Sequence, residues 1–145
     1  MAKFTNVTGL NGETLTPKEY TVASGTAASI EPGMVVVITS NNAAEAANGV
    51  DNTADIIGVA ASTSTETAAA AGTVLVKRAP VLRAKAVATT PGNLSSSVIL
   101  TKCTLDVTGT SHTVDENDTT NGFIRILDYD NTTDGNLDIE IITSL

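Results

Sequence analysis

Large aromatic side chains are almost missing from this chain. Of 145 residues none is Trp, two are Phe and two are Tyr. Aromatic rings normally carry much of the burial energy of cores and interfaces, so Val, Ile, Leu and Ala must fill any core here. The length suits one domain that buries roughly 68–70% of the unfolded chain's surface. Such a ring-poor core stabilises a lone subunit thinly, and packing against another surface or against copies of itself would offset the shortage. Cysteine is nearly absent too: Cys103 stands alone and forms no internal disulfide, as in a reducing cytoplasm. No apolar run approaches a membrane span, and Met1-Ala2-Lys3-Phe4 offers no apolar signal core. Basic residues are scarce, eight against sixteen acids, for a net charge of −8. Binding nucleic acid needs a basic stripe that displaces counterions. Neither nucleic acid nor a membrane is an expected partner.

Recognisable catalytic chemistry is also lacking. His112 is the only histidine, set between Ser111 and Thr113 with Asp115 and Glu116 near in sequence, in a polar stretch from Thr108 to Gly122 that reads as a loop. A Ser-His-acid set needs an oriented base and a nucleophile on a rigid turn, and no Gly-x-Ser-x-Gly elbow is present. No catalytic residue is nominated, and a non-enzymatic protein is expected. Cys103 occupies an apolar strand position, as an inert buried thiol does. The run Asp130-x-Thr132-x-Asp134-Gly135 imitates the start of a calcium loop, which spaces oxygen ligands alternately and puts Gly sixth. Its twelfth place holds Ile141, with Glu140 one early. A hairpin turn is therefore the preferred reading, with Asp130, Asp134 and Glu140 as the ligands if calcium binds. No resident metal or cofactor is expected. Asp115-Glu116-Asn117-Asp118 reads as solvated loop, and four glycosylation sequons read as coincidence in an Asn- and Thr-rich chain.

What the sequence does contain is a succession of short β-branched runs bounded by Gly, Pro, Asn or Asp. Strands are expected near Glu19–Ala23, Met34–Thr39, Ile56–Ala60, Thr73–Arg78, Val81–Ala88 and Val98–Val107. Phe123–Tyr129 and Leu137–Thr143 should form a hairpin around Asp134-Gly135. The unbroken apolar run at Met34–Thr39 predicts burial on both faces. Along Val81–Ala88 the residues Leu82, Ala84, Ala86 and Ala88 share one face, and Val81, Arg83, Lys85 and Val87 the other. Cap-like patterns at Asn42 to Gly49 and Thr63 to Gly72 predict one or two short helical turns. The expected fold is mainly β, a small β-barrel or β-sandwich-like domain over residues 20–145.

Residues 1–19 show no sustained period and read as an extended N-terminal arm or a frayed terminus. Phe4, Val7, Leu10 and Leu15 are spaced as an arm that docks on a partner requires. Charge is uneven: no acid lies between Glu66 and Asp106, where Lys77, Arg78, Arg83, Lys85 and Lys102 fall, whereas nine acids and one Arg follow from Asp106 onward. Two readings stand. These are solvated faces of different strand groups, or the basic residues Lys77, Arg78, Arg83 and Lys85 meet the acidic end of another subunit or a charged partner surface.

The order of features from Ile30 to Ala88 resembles the small capsid-decoration (head-stabilising, or cement) proteins of tailed bacteriophages. The pieces are Glu31-Pro32-Gly33-Met34-Val35-Val36-Val37, a polar insert from Asn41 to Gly49, Asp55-Ile56-Ile57-Gly58-Val59-Ala60, an Ala-rich segment ending at Gly72, and Val-rich strands from Thr73 to Val87. The match covers about two fifths of the chain and leaves Asn93 to Leu145 less clearly matched. The resemblance implies a protein made in the host cytoplasm that binds and stabilises the outer capsid surface of a virion. It implies a homotrimer at three-fold or quasi-three-fold positions, with the N-terminal arm paired to the major capsid protein by β-augmentation. Two alternatives stand: another virion or surface structural subunit, such as a fibre base or adhesin module, which would share the strands and the lack of chemistry, and a calcium-dependent binding module, separable by metal titration of the free protein.

Overall fold

In the computed structural model, which describes residues 2–25, 29–38, 44–48, 55–120 and 122–144, the short apolar runs become strands. They are β1 (Thr5–Gly9), β2 (Lys18–Val22), β3 (Val35–Ile38), β4 (Ala44–Ala46), β5 (Ile56–Ala60), β6 (Gly72–Lys77), β7 (Val81–Val87), β8 (Lys102–Thr108), β9 (Ser111–Asp115), β10 (Ile124–Tyr129) and β11 (Asn136–Ile142). Among the described residues they form a six-stranded sheet, ordered β1-β7-β11-β10-β8-β9, and a five-stranded sheet, ordered β2-β6-β5-β3-β4. Every strand pair is antiparallel. The mainly β expectation holds.

The larger sheet curls into a half-barrel. Its β9 end comes round to meet the start of the chain and the end of β7. His112 N–H donates to the Ala2 carbonyl at 2.9 Å, Thr89 N–H donates to the Val114 carbonyl at 2.9 Å, and Ala88 bridges Val114 in parallel. Curling occupies backbone groups that an open edge would leave unpaired.

Two cores lie on either side of the smaller sheet. Val35 and Val37 of β3, with Ile56 and Val59 of β5, join the main core with Leu82, Ala84 and Ala86 of β7 and Ile139 and Ile141 of β11. Met34 and Val36, with Ile57 and Ala60, join a second core with Val22, Val74 and Val76. Burial on both faces explains the unbroken apolar run. A bulge between Val36 and Val37 re-phases β5, sending Ile56 and Val59 to one core and Ile57 and Ala60 to the other. Gly58 is required there, because a Cβ would collide with the Lys77 carbonyl of β6.

Three expectations are corrected. Residues 1–19 are not a free arm: β1 is an edge strand paired with β7, Phe4 is 2% exposed, Val7 lies beside it in the main core, and Leu15 packs against that core. Only Leu10 of the four stays outside, 45% exposed. The strand hides in the sequence because Phe4 and Val7 are three apart, the wrong phase for a flat strand. A bulge between Thr5 and Thr8, with Asn6 at φ 52°, restores Val7 to the core face. Asn tolerates this left-handed conformation better than most residues.

The helical turns also fall elsewhere. Glu45 lies in β4, whose Ala44 and Ala46 pair with Ile38 and Val36; Asn42 and Gly49 lie outside the described residues. In the Thr63–Gly72 segment, Thr67 Oγ1 accepts from Ala69 and Ala70 N–H and so closes a turn instead of starting a helix. Among the described residues the helical turns are 3₁₀, at Pro91–Asn93 and Ser96–Val98. Finally, the polar stretch after Thr108 contains β9, paired in register with β8 from Thr104↔Asp115 to Thr108↔Ser111.

Candidate functional site

β9 and the residue that follows it present two buried titratable groups, His112 and Glu116. The strand's alternation points His112 and Val114 inward, and Glu116 continues the same face past the strand end. His112 is 1% exposed, and its Nδ1 accepts from the Val35 N–H of the smaller sheet at 3.1 Å. The proton of the neutral ring therefore sits on Nε2. Burial, with Lys3 beside it, lowers the pKa of His112 from 6.5 to about 4. Its neighbour Ser111 accepts from Ala2 N–H through Oγ at 3.2 Å. Histidine and hydroxyl are thus joined to the backbone of other elements, which is a structural assignment for both.

Glu116 is 5% exposed, which corrects its reading as solvated loop. Its Oε1 accepts from Thr90 N–H at 2.9 Å, whereas Oε2 is buried with no hydrogen-bond partner. Burial pushes its pKa up, and nearby Asp115 pushes the same way. The signal was present in the sequence: positions 112, 114 and 116 alternate as one strand face. Cys103 is buried as expected, and burial raises its thiol pKa.

Among the described residues three of the four candidate basic contacts, Lys77, Arg78 and Lys85, have partners for their side chains within the chain. Lys85 forms an ion pair with Asp138, and the β7–β11 register sets Arg83 opposite Glu140. Glu140 also lies 3.4 Å from the Arg125 guanidinium. Arg78 donates to the Tyr20 hydroxyl at 2.6 Å, and Lys77 Nζ donates to the Val7 carbonyl at 3.3 Å. Arg83 and Lys85 of the basic middle and Asp138 and Glu140 of the acidic end therefore lie on adjacent strands of one sheet. This favours the reading as solvated faces over the intersubunit one for Arg83 and Lys85.

Asp130, Asp134 and Glu140 are not gathered into a calcium cage. Asp130 N–H donates to the Asn136 carbonyl at 3.0 Å, closing the hairpin. Asn131 Oδ1 accepts from Thr133 and Asp134 N–H inside the turn. Glu140 lies along β11 with Arg125. Among the described residues no group of three His, Cys, Asp or Glu side chains is placed to hold a metal ion, and no helix is long and apolar enough to cross a membrane.

Two open grooves flank the start of β1. One, of about 500 Å³, lies toward β7 and the hairpin turn, between Lys85, Val87, Asp130 and Asn136. The other, of about 420 Å³, is bordered by Pro32, Gly33, Ala60, Ala61 and Lys77 of the smaller sheet and its turns. Comparison of the chain with protein-family models, with curated proteins and with solved structures finds no match.

Proposed function

We propose that this chain is a non-enzymatic structural protein that docks on the outer surface of a bacteriophage capsid and stabilises it. It acts as a trimer at three-fold or quasi-three-fold positions, with the major capsid protein and its own copies as partners. The observation that carries the reading is where the resembling segment falls. Its ordered pieces are β3, β4, β5, β6 and β7, a contiguous block comprising most of the smaller sheet and the strand that joins it to the larger one. The assignment of His112 and Ser111 to backbone contacts is consistent with it. With β1 seated in the sheet, capsid contact is made by the folded face around β1 and not by a free arm.

Co-sedimentation with phage capsids stripped of their decoration tests this. Saturable binding at a fixed ratio to the major capsid protein is expected, with retained shells surviving heating that opens bare ones. Absence of binding to shells that the native decoration protein re-occupies would overturn it.

A further inference from the structure

We infer that copies of this chain join head to tail, with Leu100 of one copy seated in the next copy's groove between the start of β1 and the β10–β11 turn. The inference rests on the reading that copies of the chain are partners of one another, and names the surfaces they use.

Leu100 stands where the fold alone favours another residue. Thr101 N–H donates to the Val98 carbonyl at 3.1 Å, with Ile99 at φ −59° and ψ 131° and Leu100 at φ 66°. This is the backbone of a type II turn, whose second central position wants Gly or Asn. Leu lacks the short polar side chain that eases Asn into that conformation. Nor does burial compensate, because Leu100 is 65% exposed. The turn is nevertheless held firmly. Leu100 N–H donates to the Ile126 carbonyl at 2.7 Å, Ile126 N–H to the Thr101 carbonyl at 3.1 Å, and Thr101 Oγ1 to the Val98 carbonyl at 2.6 Å. A strained apolar tip tied to β10 is preorganised to enter a partner.

The groove, of about 500 Å³, offers what the tip needs: small apolar walls from Ala2, Ala86 and Val87, with Asp130 and Asn136 at its polar edge. Charge matches as well. Lys3 and Lys85 are paired with Glu31 and Asp138, which leaves Asp130, and Asp128 in the adjoining pocket, without an ion pair among the described residues. Lys102, exposed two residues from Leu100, has no ion pair there either. The basic flank of the tip therefore meets the acidic flank of the groove. The tip lies beside β10 and the groove on the β1 side of β7, with β11 between those strands. Two separate surfaces that fit each other make a head-to-tail contact, which closes into a ring when the rotation allows.

Amide NMR on mixtures of full-length variants tests this. Leu100→Asn removes the tip and keeps the groove; Val87→Trp fills the groove and keeps the tip. Labelled Leu100→Asn mixed with unlabelled Val87→Trp should shift saturably at residues 2, 3, 85–87, 130 and 136 and not at 98–102. The reverse labelling should shift 98–102 alone. Unlabelled wild-type chain should act on labelled Leu100→Asn as Val87→Trp does, and unlabelled Leu100→Asn should do nothing. Adding Asp130→Asn to the labelled chain should weaken binding about two- to fivefold, the range of one exposed ion pair. Leu100→Asn should also raise Tm by about 2–8 °C as the turn relaxes. No shifts in either labelling, both surfaces shifting in each, groove shifts caused by unlabelled Leu100→Asn, or a lowered Tm would overturn the proposal. Absence of shifts in a chain that still co-sediments with capsids refutes this contact alone. The expected shifts without capsid binding refute the capsid reading and leave the contact standing.

Discussion

His112 joins three parts of the molecule: its ring to Val35 of the smaller sheet, its backbone to Ala2, and its own strand to β8. Only the neutral ring can accept the Val35 N–H. Because the folded pKa is about 4 against 6.5 unfolded, the unfolded chain takes up a proton here that the folded chain refuses as pH falls. Stability present above pH 6.5 is then lost down to about pH 4, by roughly 3 kcal/mol. Denaturant melts across that range should show the loss, and His112→Asn, which keeps an acceptor but does not titrate, should remove that component. Glu116 has the opposite sign. Its raised folded pKa favours the protonated form, so its contribution is present at acid pH and is lost as pH rises through the folded value. Glu116→Gln retains an acceptor for Thr90 N–H and is expected to gain about 1 kcal/mol at pH 8. The gain should vanish at pH 4. An equal effect at both pH values would mean that the buried charge is not the cause.

At the scale of elements, β1 decides whether the N-terminus belongs to the fold. Phe4→Ala should cost about 3–5 kcal/mol, as loss of a core ring does. Asn6→Gly should be nearly neutral, whereas Asn6→Val should cost about 1–2 kcal/mol because a β-branched residue resists the left-handed bulge. Thermal melts of the three variants check this; three equal melts would return β1 to the status of a loose arm. The same bulge shows why some strands were legible in the sequence and others were not. β5, β7 and the β10–β11 hairpin announce themselves by β-branched runs, clean alternation or Asp134-Gly135. β1 breaks phase at Asn6, and β9 fills one of its two inward places with His112, so neither carries an apolar period. The buried role of Glu116 was readable only by extending β9 two residues beyond Val114.

The whole molecule settles its uneven charge by topology. β7, which carries Arg83 and Lys85, lies beside β11, which carries Asp138 and Glu140, with Lys85 and Asp138 paired. Such exposed pairs contribute only about 0–1 kcal/mol each, so they organise the outer face more than they stabilise it. Among the described residues the cores bury two phenyl rings, Phe4 and Phe123, and shared burial between copies would add what the monomer lacks. Native mass spectrometry of shell-bound material released gently should return trimers; dimers or a ring of another order would remove the three-fold assignment. Capsid docking itself is tested most directly by electron cryo-microscopy of shells assembled from the major capsid protein with and without this chain. Added density over the three-fold and quasi-three-fold positions, fitting the two-sheet fold with β1 in place, is the expected result. Maps identical with and without the chain would contradict it.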